Sequence, residues 1–287
     1  MKINDIYEDE EFMMLKQKIF KDISLDLNQY KNNYLKRRID VRMRTNALRS
    51  YTEYYRYLTL NPSEYRDLLR DLTINVTHFY RDPEVYQVIE DEIFPLLIYN
   101  NVKNQKRNIR VLSVGCASGE EAYSIAILFH ELLGEEFKNF NVSINGIDID
   151  DRSLKVARMG IYHPQQLINI KPEYLERYFE YDGERYHISD TIKDMVKFRN
   201  QDIFSGKFGT HYNVIICRNV LIYFTKEMQA RLFQQFYDAL VSGGYLIIGK
   251  TETLVGPSKD EFQIINSRER IYQKLEQSLR SRILDEL

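Results

Sequence analysis

The chain has 287 residues, 44% of them hydrophobic and 29% charged, and a net charge of −2. Enough apolar side chains are present to exclude disorder, and the near-neutral balance excludes a chain-wide affinity for nucleic acid. The acidic start "MKINDIYEDEEF" is unlike a secretory signal and no run approaches the ~18 apolar residues of a membrane span, so a cytoplasmic protein without direct membrane insertion is expected.

Residues 1–82 read as an all-helical N-terminal domain. "SYTEYYRYL" offers Ser50 with Glu53 in capping-box spacing, and "NPSEYRDLLRDL" offers Asn61 as N-cap with Pro62 at the first helical position. Between Lys31 and Arg56, eight basic residues face only Asp40 and Glu53. Lys31, Arg38 and Arg42, spaced by seven and four, fall within about 20° of one line on a helix. Such a stripe suits docking of an acidic helix, whereas charge runs more commonly form a solvated face. In "RDPEVYQVIEDEIFPLLIYN", Asp82 and Pro83 start a helix in which Val85, Val88, Ile89, Ile93 and Leu97 recur at helical spacing. Residues 83–105 are therefore expected to be a linking helix and linker.

From 106 to 280 the pattern alternates between strands and helices. "IRVLSVG", "NVSINGIDID", "YNVIICRNVLIYF" and "GGYLIIGKTE" are apolar strands, with helices in "EEAYSIAILFHELLG", "DRSLKVARMG" and "KEMQARLFQQFYDALV". This predicts an α/β fold with a mostly parallel sheet, and "FQIINSRERIYQKL" predicts an antiparallel edge. An insertion at about 161–196 breaks the repeat; "YLERYFEYDGERYHIS" predicts a type I′ hairpin centred on Asp182-Gly183. Cys116 and Cys217 read as buried core thiols without metal-ligand spacing, and "EQSLRSRILDEL" as a terminal helix.

In a parallel sheet, ligands bind beyond the carboxyl ends of the strands. The turn there, Gly115-Cys-Ala-Ser-Gly119, is built from small residues that let a ligand approach the backbone. Asp148 closes the second strand, where a carboxylate in this architecture accepts hydrogen bonds from a ribose diol. Glu120 and Glu121 open the following helix. Both suit its dipole but would repel a pyrophosphate. A ligand carrying a ribose and positive charge, such as S-adenosylmethionine, matches better than ATP or a dinucleotide; alternatively the two glutamates serve the dipole alone.

"LTINVTHFYRDPEVY", "SVGCASGEEAYSIA", "DIDDRSLKVARMGIY" and "IICRNVLIYFTKE", in this order, resemble the chemotaxis receptor methyltransferases, the CheR family. The likeness covers about Leu15 to Leu275. It implies a helical N-terminal domain, a Rossmann-like methyltransferase domain and a small β-subdomain. The implied activity is methyl transfer from S-adenosylmethionine to glutamates on chemoreceptor cytoplasmic helices, giving γ-methyl esters and S-adenosylhomocysteine. By motif, the resemblance implies cofactor contacts at Asn75, Thr77, Arg81, Gly115, Glu121, Asp148, Asp202, Ile203, Asn219 and Val220. Arg81 and Tyr223 are expected to orient cofactor and substrate, with Lys31, Arg38 and Arg42 docking the receptor. This chain has Asp202 where the family often has Asn, and Ala122 in place of a usual proline.

A glutamate carboxylate, with a reference pKa of about 4.3, is ionised near neutral pH and needs no general base. Arg81 beside Asp82 also reads as a surface ion pair, and Tyr223 as a core residue. The expectation is a monomer recruited to membrane-bound receptor arrays, with no nucleic-acid partner. A methyltransferase for another substrate and an inactive cofactor-binding adaptor remain the rival readings.

Overall fold

The computed structural model describes residues 3–73, 75–206 and 208–275; the expected terminal helix "EQSLRSRILDEL" and the end of the 106–280 domain lie outside these residues. Two compact units emerge, one formed by Met1–Ile74 with Tyr223–Met228, the other by Asn75–Ile222 with Gln229–Leu287. Among the described residues no helix is long and apolar enough to cross a membrane.

The first unit contains α1 (Ile3–Ile23), α2 (Asn32–Thr45), α3 (Tyr51–Leu60) and α4 (Glu64–Leu72). Leu15, Ile19, Leu35, Ile39, Tyr54, Leu58 and Leu68 are buried, and Phe12 packs its ring 5.1 Å from Tyr51. The Ser50 hydroxyl accepts the Glu53 amide as its spacing predicts, while Glu53 reaches back to the amide of Arg49. Asn61 does not cap α4; its carbonyl accepts the Glu64 amide in a turn before the helix.

The basic stripe requires a correction. Arg42 is 6% exposed, its Nε and Nη2 each 2.8 Å from a Glu64 carboxylate oxygen, with Nη1 3.1 Å from Asp71. It stands at i, i+4, i+7 from Leu35 and Ile39, on the face of α2 that packs inward. Tyr54 donates its hydroxyl to the same Glu64. Arg42 thus pins α2 to α4 and is withdrawn from docking; Lys31 is exposed and Arg38 half-buried.

The second unit is built on a seven-stranded sheet ordered β6-β2-β1-β7-β8-β10-β9. In chain order come α5 (Pro83–Val88), α6 (Phe94–Lys103), β1 (Asn108–Val114), α7 (Glu120–Leu133), β2 (Asn141–Asp148) and α8 (Asp151–Met159). The insertion follows: β3 (Ile161–Tyr162), α9 (Pro172–Tyr178), β4 (Phe179–Tyr181), β5 (Tyr186–Ile188) and α10 (Asp190–Lys193). Last are β6 (Val196–Asn200), β7 (Tyr212–Cys217), α11 (Lys226–Ala239), β8 (Leu240–Ile248), β9 (Phe262–Asn266) and β10 (Ile271–Lys274). Strands β6, β2, β1, β7 and β8 are parallel, and β10 and β9 complete an antiparallel edge. Both cysteines are buried and free; Cys116 lies in the turn after β1, not within the strand.

Several local expectations shift. Residues 75–81 belong to the sheet unit, since the Phe79 amide donates to the Gln166 carbonyl at 2.8 Å and the Tyr80 amide to the Ser124 hydroxyl at 3.1 Å. The expected linking helix is part of this unit's core: Val85, Ile89, Ile93, Phe94 and Leu97 are buried, and Phe94 stacks on Phe129 at 3.9 Å. A π-helical turn, Ile89–Ile93, separates α5 from α6. Strand β6, which the sequence did not single out, begins where the insertion ends and pairs with β2 at the sheet margin. The insertion forms its own sheet, β3-β5-β4. Its hairpin turn is centred on Gly183-Glu184, with Asp182 at the corner accepting the amides of Glu184 and Arg185.

Candidate cofactor site

β1 lies between β2 and β7, so the chain leaves the sheet in opposite directions on either side of it and opens a crevice at their carboxyl ends. The turn after β1 is left-handed at Gly115, Ala117 and Gly119, with φ of 69°, 46° and 93°. A Cβ on Gly115 would meet Val220 Cγ2 at 2.5 Å, so glycine is what lets the loops after β1 and β7 close on each other. The Ala117 amide donates to Asp148 Oδ2 at 2.9 Å and the Asp150 amide to Asp148 Oδ1 at 2.8 Å. Each Asp148 oxygen keeps acceptor capacity for a diol. Burial pushes the Asp148 carboxyl upward, against the pull of those amides.

Glu121 and Glu120 have separate roles. Glu121 accepts the Ser113 hydroxyl at 2.9 Å and lies 3.6 Å from Arg218; burial raises its pKa and Arg218 opposes the rise. Glu120 is fully buried, accepting from Ser118, Gln166 and the Thr77 side chain, and so ties the turn to the insertion and to the 75–81 segment. Among the expected contacts, Thr77 is therefore engaged by the protein. Asn75 donates to Asp150 Oδ2 at 2.6 Å, which places it beside the start of α8. The Gln201 amide donates to the Asp148 carbonyl at 2.9 Å, so Asp202 and Ile203 begin a 3₁₀ turn next to the end of β2.

Two buried charged residues organise the crevice and escaped the sequence reading. Arg218 donates to the Arg81 carbonyl at 2.9 Å and to Asp82 at 2.6 Å. Asp82 is thus taken by Arg218 and does not cap α5, while Arg81 turns its Nη1 to the Val76 carbonyl at 2.6 Å. The surface-pair reading of Arg81 with Asp82 is overturned. Glu252, 4% exposed, accepts the backbone amides of Gly249, Asn219, Leu221 and Ile222. It holds Asn219 at a φ of 61°, where β7 ends, so the expected strand "YNVIICRNVLIYF" stops at Cys217. A charged residue inside "CRN" and another after the apolar run of β8 were the available signals.

Gly115, Glu121, Asp148, Asp202, Ile203, Asn219 and Val220 thus gather around the ends of β1, β2 and β7, with Asn75 and Arg81 tied to them through Asp150 and Arg218. Tyr223 counts with the helical unit, its ring 4.7 Å from Tyr34 and its carbonyl accepting the Lys31 amide. Lys31, Arg38 and Arg42 belong to that unit as well. No His, Cys, Asp or Glu cluster able to hold a metal occurs among the described residues. Carboxylates with spare acceptor capacity, beside a turn of small residues, fit a cationic nucleoside and not a phosphate chain.

Comparison with known proteins agrees with this chemistry. Residues 75–271 match the model described as CheR methyltransferase, SAM binding domain, and residues 10–73 the CheR methyltransferase, all-alpha domain. A chemotaxis protein methyltransferase of Listeria innocua is 28% identical over 90% of this chain and 96% of its own length. One from Vibrio parahaemolyticus is 34% identical over 71% of this chain and 74% of its own. A 104.1 kDa protein of Rhodobacter capsulatus is 31% identical over 86% of this chain, which spans 26% of that longer relative. With an all-alpha domain ahead of an S-adenosylmethionine-binding domain, the chain belongs to the CheR methyltransferase family.

Proposed function

We propose that the protein methylates glutamate side chains on the cytoplasmic helices of methyl-accepting chemoreceptors, leaving γ-methyl esters and S-adenosylhomocysteine, and so serves chemotactic adaptation. The names of the relatives support the setting. The observation that carries the chemistry is a largely buried carboxylate beyond each of the two strands, Glu121 in the first turn of α7 after β1 and Asp148 at the end of β2. Bound S-adenosylmethionine supplies a methyl group on positively charged sulfur. Asp148 accepts the ribose hydroxyls, and Glu121 offers negative charge to the ligand's cationic groups. Asp202 and Ile203 flank the adenine; Asn75, Thr77, Gly115, Asn219 and Val220 form the remaining walls. Arg81 orients the incoming carboxylate, which is already ionised near neutral pH, so alignment and not proton removal supplies the acceleration.

Lys31 and Arg38 dock the acidic receptor helix, and a monomer recruited from the cytoplasm to membrane-bound receptor arrays meets its substrate there. The test is transfer of labelled methyl from S-adenosylmethionine to a receptor cytoplasmic fragment, followed by alkali. Label released as methanol is expected. Intact cofactor binding with no transfer would favour the adaptor reading, and alkali-stable label a different acceptor.

A further inference from the structure

At the opposite, amino-terminal end of the strands lies a second cleft, of about 870 Å³, with no part in the methyl-transfer site. The end of α6, the starts of β1 and β2, and the Val241–Gly243 bend of β8 enclose it. Lys103, Lys106 and Arg110 line it together with Asn101, Asn141 and Asn213, and no Asp or Glu among the described residues does so. Cations at the end of α6 are accounted for by the helix dipole alone. Asn101 is not: it is 6% exposed, and its side-chain Nδ2 has no hydrogen-bond partner. A buried donor left unmade costs free energy, so its retention points to an acceptor that arrives from outside the protein.

The site is locally built. The Asn101 carbonyl accepts the Lys106 amide at 2.8 Å, which folds the chain so that Lys106 returns over the end of α6. Asn213 accepts the Arg110 amide at 2.9 Å, and Arg110 donates Nη1 to the Thr210 carbonyl at 2.8 Å. The Arg110 guanidinium is thereby held in place with further N–H groups to offer.

We infer that this cleft binds a phosphorylated small molecule. Three cations and several amide donors around one cavity match a group with dense acceptor oxygens and a charge of about −1.5 to −2. The volume admits a ligand as large as a nucleotide.

The experiment titrates the full chain, saturated with S-adenosylhomocysteine so that the methyl-transfer site is blocked, with inorganic phosphate, pyrophosphate, ATP and citrate. Binding of a phosphorylated probe is expected, weakened about tenfold or more by Lys106→Glu and by Asn101→Leu. Asn101→Leu removes the unpaired donor and should keep or raise the melting temperature, which separates lost binding from lost folding. The inference is overturned by absence of binding for every phosphorylated probe at millimolar concentration, by binding that survives both substitutions, or by binding of citrate alone. Saturation by S-adenosylhomocysteine reports the methyl-transfer site independently.

Discussion

Asp148 and Glu121 are carboxylates held where burial raises their pKa. A group whose folded pKa is raised favours folding below its unfolded pKa and loses that contribution as pH rises through the folded value. At neutral pH their ionised forms therefore oppose the ligand-free fold, and a cationic ligand offsets that cost. S-adenosylmethionine affinity should consequently fall on acidification at a higher pH than ordinary carboxylates near about 4 would produce. Calorimetry from about pH 8 to about pH 5 would show it, and Glu121→Gln should weaken binding about tenfold and flatten the profile. An unchanged profile in Glu121→Gln would remove Glu121 from cofactor recognition. Arg42 makes the opposite case, because its partners need its charge. Arg42→Ala leaves Glu64 buried and unpaired and should cost about 3–5 kcal/mol in denaturant unfolding of the helical unit. A loss below about 1 kcal/mol would mean the pair is solvated.

At the scale of elements, loops are set by single acceptors. Glu252 accepts three amides, those of Asn219, Leu221 and Ile222, in the turn between β7 and the 3₁₀ segment Leu221–Tyr223. In the insertion, Asp182 accepts two amides and pairs with His187 at 2.7 Å, and those bonds hold its carboxyl far below the usual range. Asp182→Ala should speed hydrogen exchange at the Glu184 and Arg185 amides while leaving the seven-stranded sheet protected; equal protection in both would show that β4 and β5 alone fix the turn. The elements legible beforehand included α7, a long apolar run after a small-residue turn, which is buried along nearly its whole length. β6 was not legible, because "VKFRN" buries little besides Val196 and becomes a strand only through pairing with β2. The 83–105 segment showed its apolar face in sequence, but not that the face packs on α7.

For the whole molecule, charge is segregated: net −2 overall, with exposed Lys31, Arg37, Arg44 and Arg49 along one stretch. Should Lys31 and Arg38 dock the receptor, raising salt from roughly 0.05 M to roughly 0.5 M should slow receptor methylation and leave cofactor affinity nearly unchanged. Arg38→Glu should mimic high salt; a salt-independent rate with wild-type behaviour in Arg38→Glu would exclude the docking surface. The sequence by itself determined the α/β class, the helical first unit, and the small-residue turn beside Asp148. Those features are local, written in periodicity, capping and the order of motifs. Only the tertiary structure decided that Arg42 is a buried strut, that residues 75–103 belong to the sheet unit, and that Arg218 and Glu252 hold the crevice. Each of these depends on groups far apart in the chain meeting in a low-dielectric interior, where a buried charge must find its partner.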